Sequence, residues 1–231
     1  MRSKKLVIIP AYNESESIRD TVNDIVSKAP GFDYIVVNDC STDDTLKILR
    51  DEGFNHLNLP VNLGIGGAVQ AGYRYARKHG YEIAVQVDGD GQHDPEYLEE
   101  MAAKLIESKA DMVIGSRFIE KEGFQSSAIR RVGITFFTGL IKLVTGKTIT
   151  DPTSGLRMIG RDVICEFADN YPRDYPEPES VVAILKHHRS VVEIPVKMRS
   201  RQGGNSSINM KRSVYYMIKV TLAILIERIR R

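Results

Sequence analysis

Cysteine is scarce in this sequence: Cys40 and Cys165 are the only two thiols in 231 residues. Two cysteines form no disulfide framework, which fits a reducing compartment. Long apolar runs are also missing, because no stretch of about 18 uncharged apolar residues occurs, and we expect no segment that spans a bilayer. The first apolar run covers only residues 6–9, which is too short for the core of a signal peptide. We therefore expect a cytoplasmic protein.

Neither sign of charge is in excess, because 32 lysines and arginines face 30 aspartates and glutamates. The balance gives no support to nucleic-acid binding, and we expect no nucleic-acid partner. The basic residues are nevertheless concentrated near the end of the chain. Residues 208–231 hold one acid, Glu227, and six basic residues, Lys211, Arg212, Lys219, Arg228, Arg230 and Arg231. Charge segregated in this way indicates an anionic surface as partner.

Short runs of β-forming residues alternate with helical patterns along the chain. The predicted strands are 6–9, 34–37, 56–59, 83–87, 111–116, 155–159 and 191–196. The predicted helices are 15–29, 41–51, 66–80, 95–109, 128–145, 178–188 and a terminal helix. Such alternation predicts an α/β fold whose central sheet is mostly parallel and Rossmann-like, with helices on both faces.

The last part of the chain forms a separate unit in our interpretation. We divide the sequence into a catalytic domain, residues 1–207, and a basic amphipathic helix, residues 208–231. At about 100° per residue, one face of this helix is apolar and the opposite face is charged. The apolar face holds Val214, Ile218, Leu222, Leu225 and Ile229, and the charged face holds Arg212, Lys219, Glu227 and Arg230. Such a helix docks on its own domain, or it binds a membrane surface, a small membrane protein or a second subunit.

Polar clusters fall where predicted strands end. Residues 10–14 follow the first strand, 38–39 the second, 88–93 the fourth and 116–117 the fifth, while 62–67 open the third helix. In an open parallel sheet, ligands bind outside the carboxyl ends of the strands. These segments are therefore expected to line one crevice.

The turn DGDGQHD, residues 88–94, crowds carboxylates into a few residues. An EF-hand is excluded, because His93 stands at the sixth position of the loop, where glycine is required. Asp94 followed by Pro95 is typical of a helix start. Asp88 and Asp90 are spaced by two and project to one side, which suits Mg²⁺ or Mn²⁺ held with substrate phosphates. A solvated turn is the alternative.

Several other features are less specific. The stretch 64–69 fails as a dinucleotide fingerprint, because Val69 occupies the last glycine position. Residues 201–207 resemble a mobile substrate lid. The histidines His93, His187 and His188 have no ligand spacing and are expected to face solvent or to lie on a helix surface. Five arginines carry planar guanidinium groups that suit phosphate binding: Arg117, Arg130, Arg131, Arg199 and Arg201. Any one of them alone is more often a surface residue than a ligand.

Taken in order, seven segments resemble glycosyltransferase family 2, of the GT-A type, from about residue 5 to 210. The segments are VIIPAYNESESI, YIVVNDCSTDDT, NLGIGGAVQAG, VQVDGDGQHDP, VIGSRF, DPTSGLRMIGRDV and VEIPVKMRSRQGGNSSI. Within the family, the likeness is to polyprenyl-phosphate sugar transferases such as dolichyl-phosphate mannose synthase. The resemblance implies a nucleotide-sugar donor, a divalent metal and inversion at the anomeric carbon.

The resemblance also implies roles for individual residues. Nucleoside contacts would come from Pro10, Ala11, Tyr12, Glu14 and Asp39, with Gly64 and Gly67 near the base. Asp88 would lie by the ribose and metal, and Asp90 and Gln92 would ligate the metal. Phosphates would be faced by Arg117, Arg131, Arg199 and Arg201, and Asp151 would lie on the acceptor side. Cys40 departs from the family pattern, where glycine is usual.

The acceptor is expected to be a polyprenyl phosphate used in cell-surface polysaccharide synthesis. A phosphate monoester is already an anion at neutral pH and needs arginines rather than a strong base. The alternative is a saccharide hydroxyl, which needs a general base such as Asp151, Glu177 or Glu179. We expect a UDP-sugar donor, UDP-GlcNAc or UDP-glucose, although uracil and guanine are not distinguished by the sequence. The enzyme would lie peripherally at the inner face of the cell membrane. The sequence leaves open whether it forms a homo-oligomer.

Overall fold

Seven strands form one sheet in the computed structural model, which describes residues 3–123, 128–173, 176–199 and 210–229. The strands are β1 (Lys5–Ala11), β2 (Asp33–Asn38), β3 (His56–Asn58), β4 (Ile83–Gln86), β5 (Met112–Ser116), β6 (Arg157–Gly160) and β7 (Val191–Pro195). Their spatial order is β3-β2-β1-β4-β6-β5-β7. All pairings are parallel except those of β6, which runs antiparallel to both β4 and β5. The predicted mostly parallel sheet is confirmed.

Eight α-helices are described around the sheet. They are α1 (Ile18–Lys28), α2 (Thr45–Asp51), α3 (Gly64–Lys78), α4 (Leu98–Glu107), α5 (Ala128–Thr145), α6 (Arg161–Asp169), α7 (Pro176–Lys186) and α8 (Met210–Ile229). A 3-10 turn, Pro95–Tyr97, precedes α4 and is capped by Asp94, whose side chain accepts a hydrogen bond from the Glu96 amide. The cap and the proline at the first position explain why the chain turns helical here. Helix α6 was not among the predicted elements.

Alternate residues of each strand pack against helices on opposite faces of the sheet. Leu6 and Ile8 lie in a core with residues of α3, α5, α6, α7 and α8. Val7 and Ile9 lie in a second core with residues of α1, α2 and α4. Fully buried strands of this kind are apolar on both sides, which is why β1 reads as a continuous apolar run.

Helix α8 packs on the rest of the chain and is also exposed. Val220 and Ile224 are fully buried in the core that contains α5 and α7. The opposite side of the helix exposes four apolar side chains, Ile218, Leu222, Leu225 and Ile226. Docking on its own domain and an exposed apolar face therefore occur together. Removing the helix would uncover core residues, so truncation is a poor test of a membrane role.

No helix within the described residues is both long and apolar enough to cross a membrane.

Candidate active site

A cleft of about 370 Å³ opens at the carboxyl ends of β1, β2 and β4. Twelve residues line it: Pro10, Ala11, Tyr12, Glu14, Asp39, Asn62, Gly64, Ile65, Ala68, Asp88, Gly89 and Asp90. Seven of these were predicted to contact the donor and Asp90 was predicted to ligate the metal, and the structure brings these eight together from four separate segments. Gly67 is not among the lining residues, because it faces Leu63 of its own helix start.

The loops after β1 and β2 are tied to each other. Asn13 has a left-handed backbone (φ 56°), and its side-chain oxygen accepts a hydrogen bond from the Thr42 amide at 2.8 Å. The Glu14 amide donates to Thr45 Oγ1 at 2.9 Å. These bonds fix the first wall of the cleft before any ligand arrives.

Asp39 is placed by the chain around it and is almost fully buried. Its amide donates to the Ala11 carbonyl at 2.9 Å, and its carboxylate accepts from the Leu63 amide at 2.7 Å. Asn62 donates to the Asp39 carbonyl at 3.2 Å. Cys40 follows with φ 58°, a conformation that suits glycine best. Asn62 therefore belongs to the site, although it was not among the residues assigned to donor binding.

Helix α1 and its N-cap residue form hydrogen bonds with the acidic turn, residues 88–94. The Gly89 carbonyl accepts hydrogen bonds from Ser17 Oγ at 2.8 Å and from Thr21 Oγ1 at 3.2 Å. Gly89 also lies close to the Pro10 carbonyl, where an added Cβ would stand 3.1 Å away. Neither hydroxyl was identified from sequence, since Ser17 and Thr21 lie about 70 positions from the turn.

Asp88 is oriented by two neighbours. Gln86 donates to its carboxylate at 2.8 Å, and the Asp88 amide donates to Nδ1 of His93 at 3.0 Å. His93 is buried, which corrects the prediction that it faces solvent. Because Nδ1 accepts this bond, the neutral ring carries its proton on Nε2, which lies 3.8 Å from the Asp88 carboxylate.

The turn offers the oxygen donors that a hard cation requires. The Asp90 carboxylate accepts from the Gln92 amide at 3.1 Å, which closes the turn, and Asp88 and Asp90 both line the cleft. Within the described ranges, no group of three or more His, Cys, Asp and Glu side chains forms a metal site. The two carboxylates fit Mg²⁺ or Mn²⁺ when substrate phosphates complete the coordination. Gln92, the third predicted ligand, is not among the residues that line the cleft.

The loop before β6 reaches the same turn. An added Cβ on Gly155 would lie 2.6 Å from the Asp88 carboxylate, so only glycine allows this approach. Arg157 is buried below the loop and donates to the carbonyls of Ser154 and Pro152, each at 2.7 Å. It also donates to the Glu177 carbonyl at the start of α7. Arg157 thus fixes two segments beside the cleft, and sequence reasoning missed it.

Glu177 lies in the first turn of α7 and is not among the residues that line the cleft, but its pKa is shifted. Burial raises the pKa of Glu177, the nearby Arg157 guanidinium opposes this shift, and the negative charge of Asp88 adds to it. A carboxyl group whose raised pKa is coupled to a carboxylate of the site is a candidate acid or base.

Arg117 and Asp151 pair with each other rather than facing open space. Arg117 Nε and Nη2 contact the two Asp151 oxygens at 2.6 and 2.7 Å, and the Arg117 amide adds a third bond at 3.2 Å. Asp151 is fully buried and Arg117 nearly so. The arrangement is that of a structural ion pair, whereas the resemblance implied a phosphate contact for Arg117 and a position on the acceptor side for Asp151.

Of the other predicted arginines, Arg131 and Arg199 are not among the residues that line the cleft. Arg199 pairs with Asp24 and Asp94 at 2.6 Å each, on the outer side of the acidic turn. Burial alone raises the pKa of Asp94, but hydrogen bonds from Arg199 and the Glu96 amide outweigh it and lower that pKa. Arg131 is an exposed residue of α5. Arg201 and the predicted lid, residues 201–207, lie outside the described residues.

The fold and cleft define a GT-A glycosyltransferase. The glucosyl-3-phosphoglycerate synthase of Mycobacterium tuberculosis, solved with Mn²⁺, UDP-glucose and phosphoglyceric acid, has the same fold. It superposes with a TM-score of 0.76 at 16% identity, covering 98% of this chain and 80% of that chain. The sequence model of the family described as "Glycosyl transferase family 2" matches residues 6–167. The chain belongs to this family, as predicted.

Two curated relatives name lipid-phosphate acceptors. The undecaprenyl-phosphate mannosyltransferase of Micrococcus luteus is 29% identical over 215 residues, covering 88% of this chain and 87% of the relative. The UDP-N-acetylglucosamine–dolichyl-phosphate N-acetylglucosaminyltransferase of Methanococcus voltae is also 29% identical, covering 83% of this chain and 84% of the relative. Their names give two different sugars, mannose and N-acetylglucosamine.

Proposed function

We propose that this protein transfers a sugar, with inversion, from a UDP-sugar such as UDP-GlcNAc or UDP-glucose to a polyprenyl phosphate. The observation that carries the proposal is the cleft, in which the Asp88 and Asp90 carboxylates face the loops that follow β1 and β2. Asp39 and Tyr12 would hold the nucleoside, and Asp88, Asp90 and Gln92 would hold Mg²⁺ or Mn²⁺. The metal would stabilise charge on the departing nucleoside diphosphate.

The environment of Asp151 supports a phosphate acceptor. A saccharide hydroxyl must lose a proton during attack, and Asp151 is buried in an ion pair with Arg117. An acceptor phosphate, whose second pKa is near 6, attacks as an anion without such a base. Its oxygen would form the bond to the anomeric carbon while the bond to the diphosphate breaks on the opposite face. The two lipid-phosphate relatives agree with this acceptor class.

The direct test is a panel of nucleotide sugars incubated with polyprenyl phosphate and Mg²⁺ or Mn²⁺. Mass spectrometry should identify one lipid-linked monophosphosugar, formed only when metal is present. A panel in which free saccharides are extended and the lipid is untouched would overturn the acceptor assignment.

A second candidate function is favoured by Glu177. Its raised pKa and its position near Asp88 are those of a general base for a hydroxyl acceptor. In that reaction the rate would rise with pH as Glu177 loses its proton through the raised pKa.

Glu177→Gln separates the two functions. With a phosphate acceptor, the variant should lose less than about tenfold and keep a rate that rises with pH near 6, since the acceptor itself titrates there. With a hydroxyl acceptor, the loss should be about 10²–10⁴-fold and the pH dependence should disappear. Initial rates from pH 5 to 8 at saturating donor give the answer, with Glu107→Gln as the control, because Glu107 is exposed on α4.

Contact with a membrane surface follows from the proposed acceptor. Helix α5 exposes Val132, Phe136 and Leu143, and its neighbour α8 exposes the four apolar side chains described above. Basic residues beside such stripes favour anionic headgroups by about 1 kcal/mol each. Arg131 and Lys142 flank the stripe on α5. We therefore propose that α5 and α8 rest on the inner face of the cell membrane.

The pair Leu222→Glu and Ile226→Glu tests this surface without touching the core. The double variant should stay folded, keep donor binding, and lose at least about tenfold in transfer to acceptor in anionic vesicles, since the apolar face contributes to interfacial binding. Transfer to a short-chain acceptor in detergent should be unchanged. Val26→Glu is the control, because Val26 is 53% exposed on α1. Equal vesicle transfer by the double variant and the control would contradict the membrane role.

A further inference from the structure

The acidic turn, residues 88–94, has two sides. Asp88, Gly89 and Asp90 line the donor cleft. Gly91 and His93 line a different cavity of about 520 Å³, together with Asp24 and Arg199. The turn therefore separates the cleft from Arg199.

Arg199 joins the turn to helix α1. Its Nη1 contacts Asp24 of α1 at 2.6 Å, and its Nη2 contacts Asp94 of the turn at 2.6 Å. The three side chains are between 20% and 30% exposed, so the pairs are partly shielded from solvent. A planar guanidinium suits this task, because its two ends can each engage a separate carboxylate.

The backbone of Arg199 also contacts Gln92. The Arg199 amide donates to the Gln92 carbonyl at 2.9 Å, and the Gln92 side-chain amide donates to the Arg199 carbonyl at 3.4 Å. Gln92 is thereby held through its main chain and through the nitrogen end of its side chain. The side-chain oxygen is the end suited to a cation.

We propose that Arg199 is a positioning residue that fixes the acidic turn for metal binding, and that it is not a ligand of the donor phosphates. The inference rests on the proposed function, since it assigns Arg199 a task in the same site. Partners behind metal ligands orient those ligands and affect metal affinity. Without Arg199, Asp24 and Asp94 retain Lys28 as a shared cation, at 3.2 and 3.5 Å.

A binding experiment separates positioning from direct phosphate contact. The affinity of the full chain for UDP is measured by calorimetry in EDTA and again in Mn²⁺, and the ratio gives the gain due to metal. The variants are Arg199→Met, Arg199→Lys and Asp24→Asn. The control is Arg77→Met, which breaks a surface pair with Asp169 at 2.7 Å.

We expect Arg199→Met to bind UDP in EDTA as the wild type does. Its gain from Mn²⁺ should fall by about 10- to 100-fold, the loss typical for removal of a partner behind a metal ligand. Asp24→Asn should fall in the same direction by less, Arg199→Lys should lie between Arg199→Met and the wild type, and Arg77→Met should change neither affinity.

Two results would overturn the inference. Weaker UDP binding in EDTA by Arg199→Met, with Asp24→Asn unchanged, would make Arg199 a direct phosphate ligand. An unchanged Mn²⁺ gain in Arg199→Met would remove the positioning role. If Arg199→Met does not fold, Asp24→Asn carries the test, and a full Mn²⁺ gain there overturns the inference. Failure of the wild type to bind UDP or to gain from Mn²⁺ would instead overturn the proposed function.

Discussion

Asp90→Asn is expected to lower sugar transfer by about 10³-fold or more while the fold stays intact. A bound metal contributes several kcal/mol of charge stabilisation, and each 1.4 kcal/mol is a factor of ten in rate. The change removes one negative charge from the turn but keeps the volume of the side chain. The Asp90 oxygen that accepts from the Gln92 amide is retained in asparagine, so the turn should still close.

The matched control is Asp51→Asn, because Asp51 forms an exposed pair with Lys47 on α2. Turnover is measured across a titration of Mn²⁺, and folding is checked by thermal melting. Near-native turnover of Asp90→Asn without added metal would show that the metal assignment is wrong.

Asp151→Asn should destabilise the protein by about 3–5 kcal/mol, which is the usual cost of removing one partner of a buried ion pair. The Arg117 guanidinium would remain nearly buried, with Thr153 Oγ1 at 3.0 Å as a neutral contact. Equilibrium unfolding in urea, read by circular dichroism, measures this loss. Transfer activity at low temperature should survive, since we assign no proton abstraction to Asp151.

Asp169→Asn is the control for this variant, because it breaks the exposed ion pair with Arg77. Its loss of unfolding free energy should be at most about 1 kcal/mol. Equal stability of Asp151→Asn and the wild type would mean that the pair is hydrated rather than buried. A folded Asp151→Asn with normal donor affinity but a 10²–10⁴-fold lower rate would point to a general base and to the hydroxyl acceptor.

The local pattern of apolar residues along the sequence was sufficient to locate the strands of the sheet. Every described strand overlaps a predicted one, because buried parallel strands appear as short apolar runs between turns. The direction of β6 was not predictable, since the pattern of a strand is the same in either direction. Helix α6 did carry a signal, in the helical spacing of buried Val163, Ile164, Phe167 and Ala168.

The site was predictable where function depends on neighbouring residues in a motif. Asp88 and Asp90 could be found because their spacing within one turn is itself informative. The ion pairs of Arg117 with Asp151 and of Arg199 with Asp24 join residues 34 and 175 positions apart. No local pattern distinguishes an arginine that binds phosphate from one that neutralises a distant carboxylate. These partners emerge only once the sheet has assembled.

The reversed strand β6 makes the segment between β5 and β6 an exchangeable module. β5 and β6 are antiparallel neighbours, and the Gly115 amide donates to the Leu156 carbonyl at 2.9 Å. The chain therefore leaves the sheet after Ser116 and returns next to its point of departure. Residues 117–156 hold α5 and the loop that touches Asp88, whereas the loops after β1 and β2 lie outside this segment. A graft from a relative that keeps the core residues of α5 would thus exchange this segment while leaving the loops proposed to bind the nucleotide unchanged.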